Sequence, residues 1–177
     1  MAAVFPLIGI VGTGAMGRGI AQIAAQAGSQ VLLFDTHADA SAAALDSVYS
    51  QWDKLHEKGR FDTAQKTLYR SRLQCSNSLA GLAKCDLLIE AIVERLDAKA
   101  ELFAELEALI APGAVLASNT SSLSITAMGA RLKRPQRLAG FHFFNPVPLM
   151  KVVEVIAGLK TEPGVCEALV RYARQMG

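Results

Sequence analysis

The sequence predicts an α/β domain, a doubly wound and mostly parallel sheet, and three observations carry that reading. Short apolar runs alternate with helix-period segments, a glycine-rich turn joins the first run to the first helix, and no repeat, low-complexity tract or linker interrupts the rhythm. With 177 residues, 51% apolar and 19% charged, the chain can bury the core of one domain and lacks the composition of a disordered one.

Leu7 to Val11 is the first strand. The helix after the glycine turn carries Ile20, Ile23, Ala24 and Ala27 at i, i+3, i+4 and i+7, and Gly28 ends it. Gln30 to Phe34 is a second strand, apolar in the way a parallel strand buried on both faces requires, and Asp35 stops it. Residues 38 to 58, Ala-rich with Trp52 and Leu55, form one helix, and Thr63 to Arg72 after Gly59 form another. This helical excursion at about 38–72 is longer than a crossover needs.

Leu87 to Val93 is the next strand, and the helix behind it presents Leu102, Phe103, Leu106, Leu109 and Ile110 before Pro112 and Gly113 close the unit. Ala114 to Ala117 is a strand that runs into the polar segment Ser118-Asn119-Thr120-Ser121-Ser122. Arg137 to Phe143 and Lys151 to Ile156 are two more strands, joined at Asn145-Pro146-Val147-Pro148, whose prolines cannot donate to a ladder. A last helix runs from about Thr161 to Met176. The α/β rhythm calls for another strand after Gly177, so the chain is expected to be truncated.

Composition excludes several functions. Eighteen Lys and Arg against 16 Asp and Glu, scattered along the chain, give a net charge of +2 and no footprint for nucleic acid or an anionic membrane. The apolar start from Val4 to Val11 is broken by Pro6 and Gly9 and lacks a basic leader, so no export signal is expected. Cys75, Cys85 and Cys166 are odd in number and widely spaced, which argues against a disulfide framework or a metal site. A cytoplasmic protein with packing cysteines is the expectation.

Gly12-x-Gly14-x-x-Gly17 follows a predicted strand and opens a predicted helix. The first glycine permits a tight turn, the second lets backbone approach a pyrophosphate, and the third lets helix pack on strand, while the helix N-terminus supplies N–H donors and a positive dipole. Asp35, 18 residues beyond Gly17, sits where a carboxylate accepts from both adenine-ribose hydroxyls. A 2′-phosphate would be repelled there, so this Rossmann-like turn favours NAD over NADP. The plainer alternative is an ordinary strand-helix turn with Asp35 capping the following helix.

His142-x-x-Asn145-Pro146 ends an apolar strand, and a neutral imidazole is a good base near neutral pH. Glu154 follows 12 residues later on the next strand, where it could orient the ring across the ladder. A core histidine bonded to backbone is the alternative. Ser118 to Ser122 could be a turn with a helix N-cap ahead of Leu123, although its place at the carboxyl end of a strand suits a ligand site. Unaided, Glu94 reads as a first-turn acid and Lys99 as a solvated helix charge.

These residues together resemble the NAD-binding domain of L-3-hydroxyacyl-CoA dehydrogenases, including bacterial 3-hydroxybutyryl-CoA and phenylacetate-pathway members. The likeness runs through the whole chain and rests on Ile8 to Gly17, on Glu90-Ala91-Ile92-Val93-Glu94, on Ser118 to Leu123, and on Phe141-His142-Phe143-Phe144-Asn145-Pro146-Val147-Pro148. It implies oxidation of an acyl-CoA substrate's 3-hydroxyl, with His142 taking the proton, Glu154 assisting it, and Ser121 and Asn145 holding the substrate oxygen and nicotinamide region. Cofactor contacts are implied at Gly12, Gly14, Ala15, Met16, Gly17, Asp35, Ala91, Glu94, Lys99 and Asn119. Ser47 and Lys54, two helical turns apart, match positions that meet the CoA moiety, although a solvated helix face is the plain alternative. The resemblance further implies a helical C-terminal domain, absent from this chain, that forms a homodimer and closes the site.

Two rivals remain open. A 3-hydroxyisobutyrate-type β-hydroxyacid dehydrogenase shares the glycine start but uses a lysine base, and a non-catalytic NAD-binding relative would share the fold. His142, Asn145 and Glu154 with the long excursion at 38–72 argue against the first, and an intact His142 and Glu154 argue against the second.

Overall fold

The computed structural model describes residues 3–37 and 39–177. Its strands are β1 (Leu7–Val11), β2 (Gln30–Phe34), β3 (Leu73–Cys75), β4 (Leu87–Glu90), β5 (Val115–Ser118), β6 (Leu138–Phe143) and β7 (Val153–Ala157). Helices α1 (Ala15–Ala27), α2 (Ala40–Glu57), α3 (Thr63–Ser71), α4 (Leu96–Leu109), α5 (Ile125–Gly129) and α6 (Pro163–Met176) connect or follow them. The sheet order is β3-β2-β1-β4-β5-β6-β7, parallel throughout except where β7 runs antiparallel to β6. This is the doubly wound, mostly parallel sheet expected, with its strand order reversing between β1 and β4.

Alternation along the strands divides the core in two. Ile8, Ile10, Val31, Leu33, Leu87 and Ile89 join α1, α2 and α6 on one face, through Ile20, Trp52 and Tyr172. Val11, Leu88 and Leu116 join α4 and α5 on the other, through Phe103, Leu106 and Met128. Of β2, Val31 and Leu33 point to the first face and are fully buried, while Leu32 and Phe34 on the other face are only partly buried against the second cluster.

Several boundaries differ from the sequence reading. β4 stops at Glu90 rather than Val93, because the Ile92 N–H turns to the Glu90 carboxylate at 2.7 Å and leaves the ladder. β5 starts one residue later than expected, since Ala114 N–H closes a turn onto Ala111. Arg137 lies in a 3₁₀ turn at Pro135–Arg137, so β6 begins at Leu138. β7 and α6 also begin two residues late, at Val153 and Pro163, and α3 ends at Ser71. Among the described residues, one strand, one α-helix and one 3₁₀ turn have no counterpart in the sequence reading: β3, the turn at Leu79–Leu82, and the five-residue α5, whose N-cap is Ser124 and not the Ser118–Ser122 stretch.

The excursion is a helical pair as expected, with α2 starting at Ala40; Ala38 lies outside the described residues. An aromatic cluster holds it together, with Trp52 stacked 5.9 Å from Tyr49 and tilted 5.8 Å from Tyr69, and Phe61 edge-on to Tyr69 at 5.4 Å. Asp53 ties the pair across, bonding Lys66 at 3.1 Å and Arg70 at 2.7 Å. Cys85 is buried, Cys166 half-buried and Cys75 exposed, and all three are free. No helix among the described residues is long and apolar enough to cross a membrane.

Trp52 is fully buried at the junction of the pair and the sheet, so Trp52→Ala should destabilise the fold by about 3–5 kcal/mol. Urea unfolding followed by circular dichroism measures this. A loss below about 1 kcal/mol would mean that the pair is not anchored through this ring.

Candidate functional site

The carboxyl ends of the parallel strands gather the residues of interest along one edge of the sheet. At the end of β1, Gly12 has φ +92°, and a Cβ there would meet the Ala91 carbonyl oxygen at 2.6 Å. Gly14 is the N-cap of α1, receives no side-chain cap, and has nothing within 4 Å of an added Cβ, so a ligand can reach the open N–H groups. A Cβ on Gly17 would stand 1.9 Å from the Gly12 carbonyl oxygen, which is the close strand-helix packing expected of the third glycine. Exposed Ala15 and half-buried Met16 complete the first turn, in which no acidic side chain opposes an anion. This open, uncapped cradle fits a pyrophosphate.

Asp35 ends β2 and does not cap α2, whose N-cap is Asp39. Its Oδ2 accepts from Thr13 N–H at 2.8 Å and Thr13 Oγ1 at 2.9 Å, and its Oδ1 from His37 N–H at 3.1 Å. Partial burial acts to raise its pKa, but the Thr13 and His37 bonds prevail and hold the carboxyl below its ordinary value. A carboxylate offers about four acceptor positions, so about one is left on Oδ1, and a second ribose hydroxyl requires the Thr13 hydroxyl to turn away. Thr13 carries no motif signal, and the sequence reading passed it by.

His142 and Glu154 are register partners across β6 and β7. The His142 Nδ1 lies 2.9 Å from Glu154 Oε2, so a proton on Nδ1 leaves the Nε2 lone pair free. The ring is tilted on Phe144 at 4.5 Å and half-buried, so it is not the core histidine of the alternative reading. A cavity of about 200 Å³ brings His142 and Glu154 together with Thr120, Ser121 and Ser122.

Asn145 faces a second cavity, of about 360 Å³, between α1, α2 and the turn after β6. Ser47, Lys54 and Arg18 line it with Asn145, and among the described residues no carboxylate does. The turn can lie on α1 because Gly19 has no side chain: a Cβ there would meet that of Val147 at 2.8 Å. Arg18 and Gly19 were missed from sequence, although Gly19 extends the spacing of the glycine run by one more step.

Lys99 is not a solvated helix charge. It is fully buried, with its ammonium 2.6 Å from Glu90 and 3.1 Å from Glu94, so it meets a ligand only through those carboxylates. Glu94 precedes α4, whose first-turn acid is Asp97. The Glu94 carboxylate accepts from Thr120 Oγ1 at 2.5 Å and Ser121 N–H at 3.1 Å. Partial burial acts to raise its pKa, but Thr120, Lys99 and Ser121 together lower it. Asn119 accepts from Phe143 N–H at 2.9 Å through Oδ1, which leaves its amide N–H groups to a ligand, and Ala91 is half-buried beside Gly12.

Comparison with known proteins identifies relatives of the chain. A family model described as "3-hydroxyacyl-CoA dehydrogenase, NAD binding domain" matches residues 7–177. The chain is 43% identical to a 3-hydroxyadipyl-CoA dehydrogenase of Escherichia coli, over 96% of its own length and 36% of that protein's. It is 41% identical to a 3-hydroxybutyryl-CoA dehydrogenase of Bradyrhizobium diazoefficiens, over 100% and 60% respectively. The crystal structure of a 3-hydroxybutyryl-CoA dehydrogenase from Escherichia coli superimposes with a TM-score of 0.96 at 41% identity, covering 98% of this chain and 37% of that one. A (S)-3-hydroxybutyryl-CoA dehydrogenase structure from Ralstonia eutropha gives 0.94 at 37% identity, with 98% and 61% covered. The chain thus spans between about a third and three-fifths of the length of these relatives.

Titration calorimetry should find NAD bound more tightly than NADP, because a 2′-phosphate would meet the Asp35 carboxylate. Asp35→Ala should weaken NAD binding by roughly 10- to 100-fold, the worth of a charge-assisted hydrogen bond, and narrow the preference. Equal or tighter NADP binding by the unaltered protein would refute the role given to Asp35.

Proposed function

The chain belongs to the 3-hydroxyacyl-CoA dehydrogenase family, and from that premise we propose that it is the NAD-binding part of an enzyme that oxidises L-3-hydroxyacyl-CoA to 3-ketoacyl-CoA. The observation that carries the reading is the His142–Glu154 pair, 2.9 Å apart and open to the cavity it shares with Ser121. NAD, when bound, supplies the acceptor for the hydride from C3.

The protein's own residues divide the remaining work. His142 Nε2 takes the proton of the 3-hydroxyl, and Glu154 stabilises the imidazolium that forms. The Ser121 hydroxyl, next to them in the cavity, donates to the substrate oxygen. Gly12, Gly14, Ala15, Met16 and Gly17 hold the dinucleotide phosphates on the α1 N-terminus, and Asp35 holds the ribose. Asn119, with Asn145 on the wall of the second cavity, steadies the nicotinamide end. Lys54, Arg18 and Ser47 suit the phosphates of CoA, since they line a cavity that carries two cations and no carboxylate.

Leu149, Met150, Val152 and Ile156 leave apolar surface exposed beside this site. In the proposed enzyme a further part of the protein covers that surface and excludes water from the reacting atoms. The homodimer implied by the resemblance belongs to the same proposal.

In the full-length protein, His142→Ala should lower kcat on 3-hydroxybutyryl-CoA by about 10²- to 10⁴-fold with NAD affinity nearly unchanged, and Glu154→Gln should follow in direction. Turnover close to that of the unaltered enzyme would make the histidine a packing residue and sink this mechanism. Arg18→Ala and Lys54→Ala should each raise KM for the CoA ester by about tenfold with little change in kcat. Steady-state kinetics checks both, and an unchanged KM would remove these cations from the CoA site.

A further inference from the structure

Glu90 has no part in the reaction above, yet it is fully buried and engaged at both oxygens. Its Oε1 accepts from Ile92 N–H at 2.7 Å and Lys99 Nζ at 2.6 Å, and its Oε2 accepts from Ser118 Oγ at 2.6 Å. The Ser118 bond follows from the ladder, where Glu90 and Ser118 are direct register partners on β4 and β5. The Lys99 ammonium continues to Glu94, which in turn holds Thr120 and Ser121. One buried cation therefore joins two carboxylates, and each carboxylate grips one end of the stretch from Ser118 to Ser121.

We infer that Glu90 is a positioning residue for Ser121, acting directly on Ser118 and through Lys99 and Glu94 on the serine itself. The inference rests on the dehydrogenase reading, in which Ser121 meets the substrate oxygen. An ammonium away from water divides its attraction between its two counter-ions. Without the Glu90 charge, Lys99 has Glu94 as its single partner and draws it inward, off Thr120 and Ser121. Ser118 loses its charged acceptor at the same time. Both ends of the stretch loosen together, while His142 stays where Glu154 holds it. The distance between hydroxyl and base is what changes.

The test is Glu90→Gln, equal in shape and without the charge, in the full-length protein. Amide hydrogen exchange over residues 118–122 should accelerate about tenfold with α2 unchanged, as expected of a local loosening. With 3-hydroxybutyryl-CoA, kcat should fall about tenfold. In a Ser121→Ala background the same substitution should cost less than about twofold, because groups that act through one another are not additive. Losses that multiply in that background, or exchange and kcat equal to the unaltered protein's, would overturn the inference. Should the Glu90→Gln protein fail to fold, Ser118→Ala cuts one grip without touching charge and should show the same pattern at about threefold. A Ser118→Ala protein indistinguishable from the original would equally overturn it. If the unaltered full-length protein turns over no 3-hydroxyacyl-CoA, the dehydrogenase reading fails, and the exchange measurement alone decides the role of Glu90.

Discussion

A methyl group at position 17 would stand 1.9 Å from the carbonyl oxygen of Gly12, and the arrangement of the site grows from that close approach. It lets α1 lie directly against the end of β1, with its open N-terminus aimed along the sheet edge. The same helix offers Gly19 as a seat for Val147, which brings the turn after β6 down beside α2. Two openings result, one flanked by cations and one holding the histidine. Any side chain at position 17 would tilt α1 and displace the walls of both.

Buried charge supplies the second organising constraint. Breaking a desolvated ion pair by removing one partner costs about 3–5 kcal/mol, so Lys99 cannot be inside without its carboxylates. That requirement fixes the exit of β4, turns the chain at Ile92, and holds the loop whose Ala91 carbonyl presses on Gly12. The glycine cradle and the serine-rich stretch are thereby attached to one electrostatic centre, although they lie on different strands.

Much of this was legible in the amino-acid order, for physical reasons that differ by element. β1, α1 and β2 announced themselves because apolar period, glycine turn and terminal acid agree. The pairing of His142 with Glu154 could be read because two strands joined by a proline turn form a hairpin, and 12 positions then put both side chains on one face. β3 and α5 were not legible, being too short to show a period. Lys99 was misread because a lone lysine on a helix is normally solvated, and nothing local shows that Glu90 and Glu94 converge on it. Thr13 and Arg18 depend on which loop folds over which helix, information that lies in tertiary packing.

The strand order also acts as a ruler. Asp35 leaves β2 and His142 sits on β6, with β1, β4 and β5 between them, so four inter-strand steps of roughly 4.8 Å separate the two by about 19 Å. A single nucleotide anchored at either end falls short of the other. Only an elongated molecule with two linked heads reaches across, and its length is set by the number of strands in the middle of the sheet. In the proposed enzyme, recognition of the far ribose and chemistry at the histidine ring are therefore separate problems. On that reading, substitutions at Thr13 or Asp35 retune the first without disturbing the second.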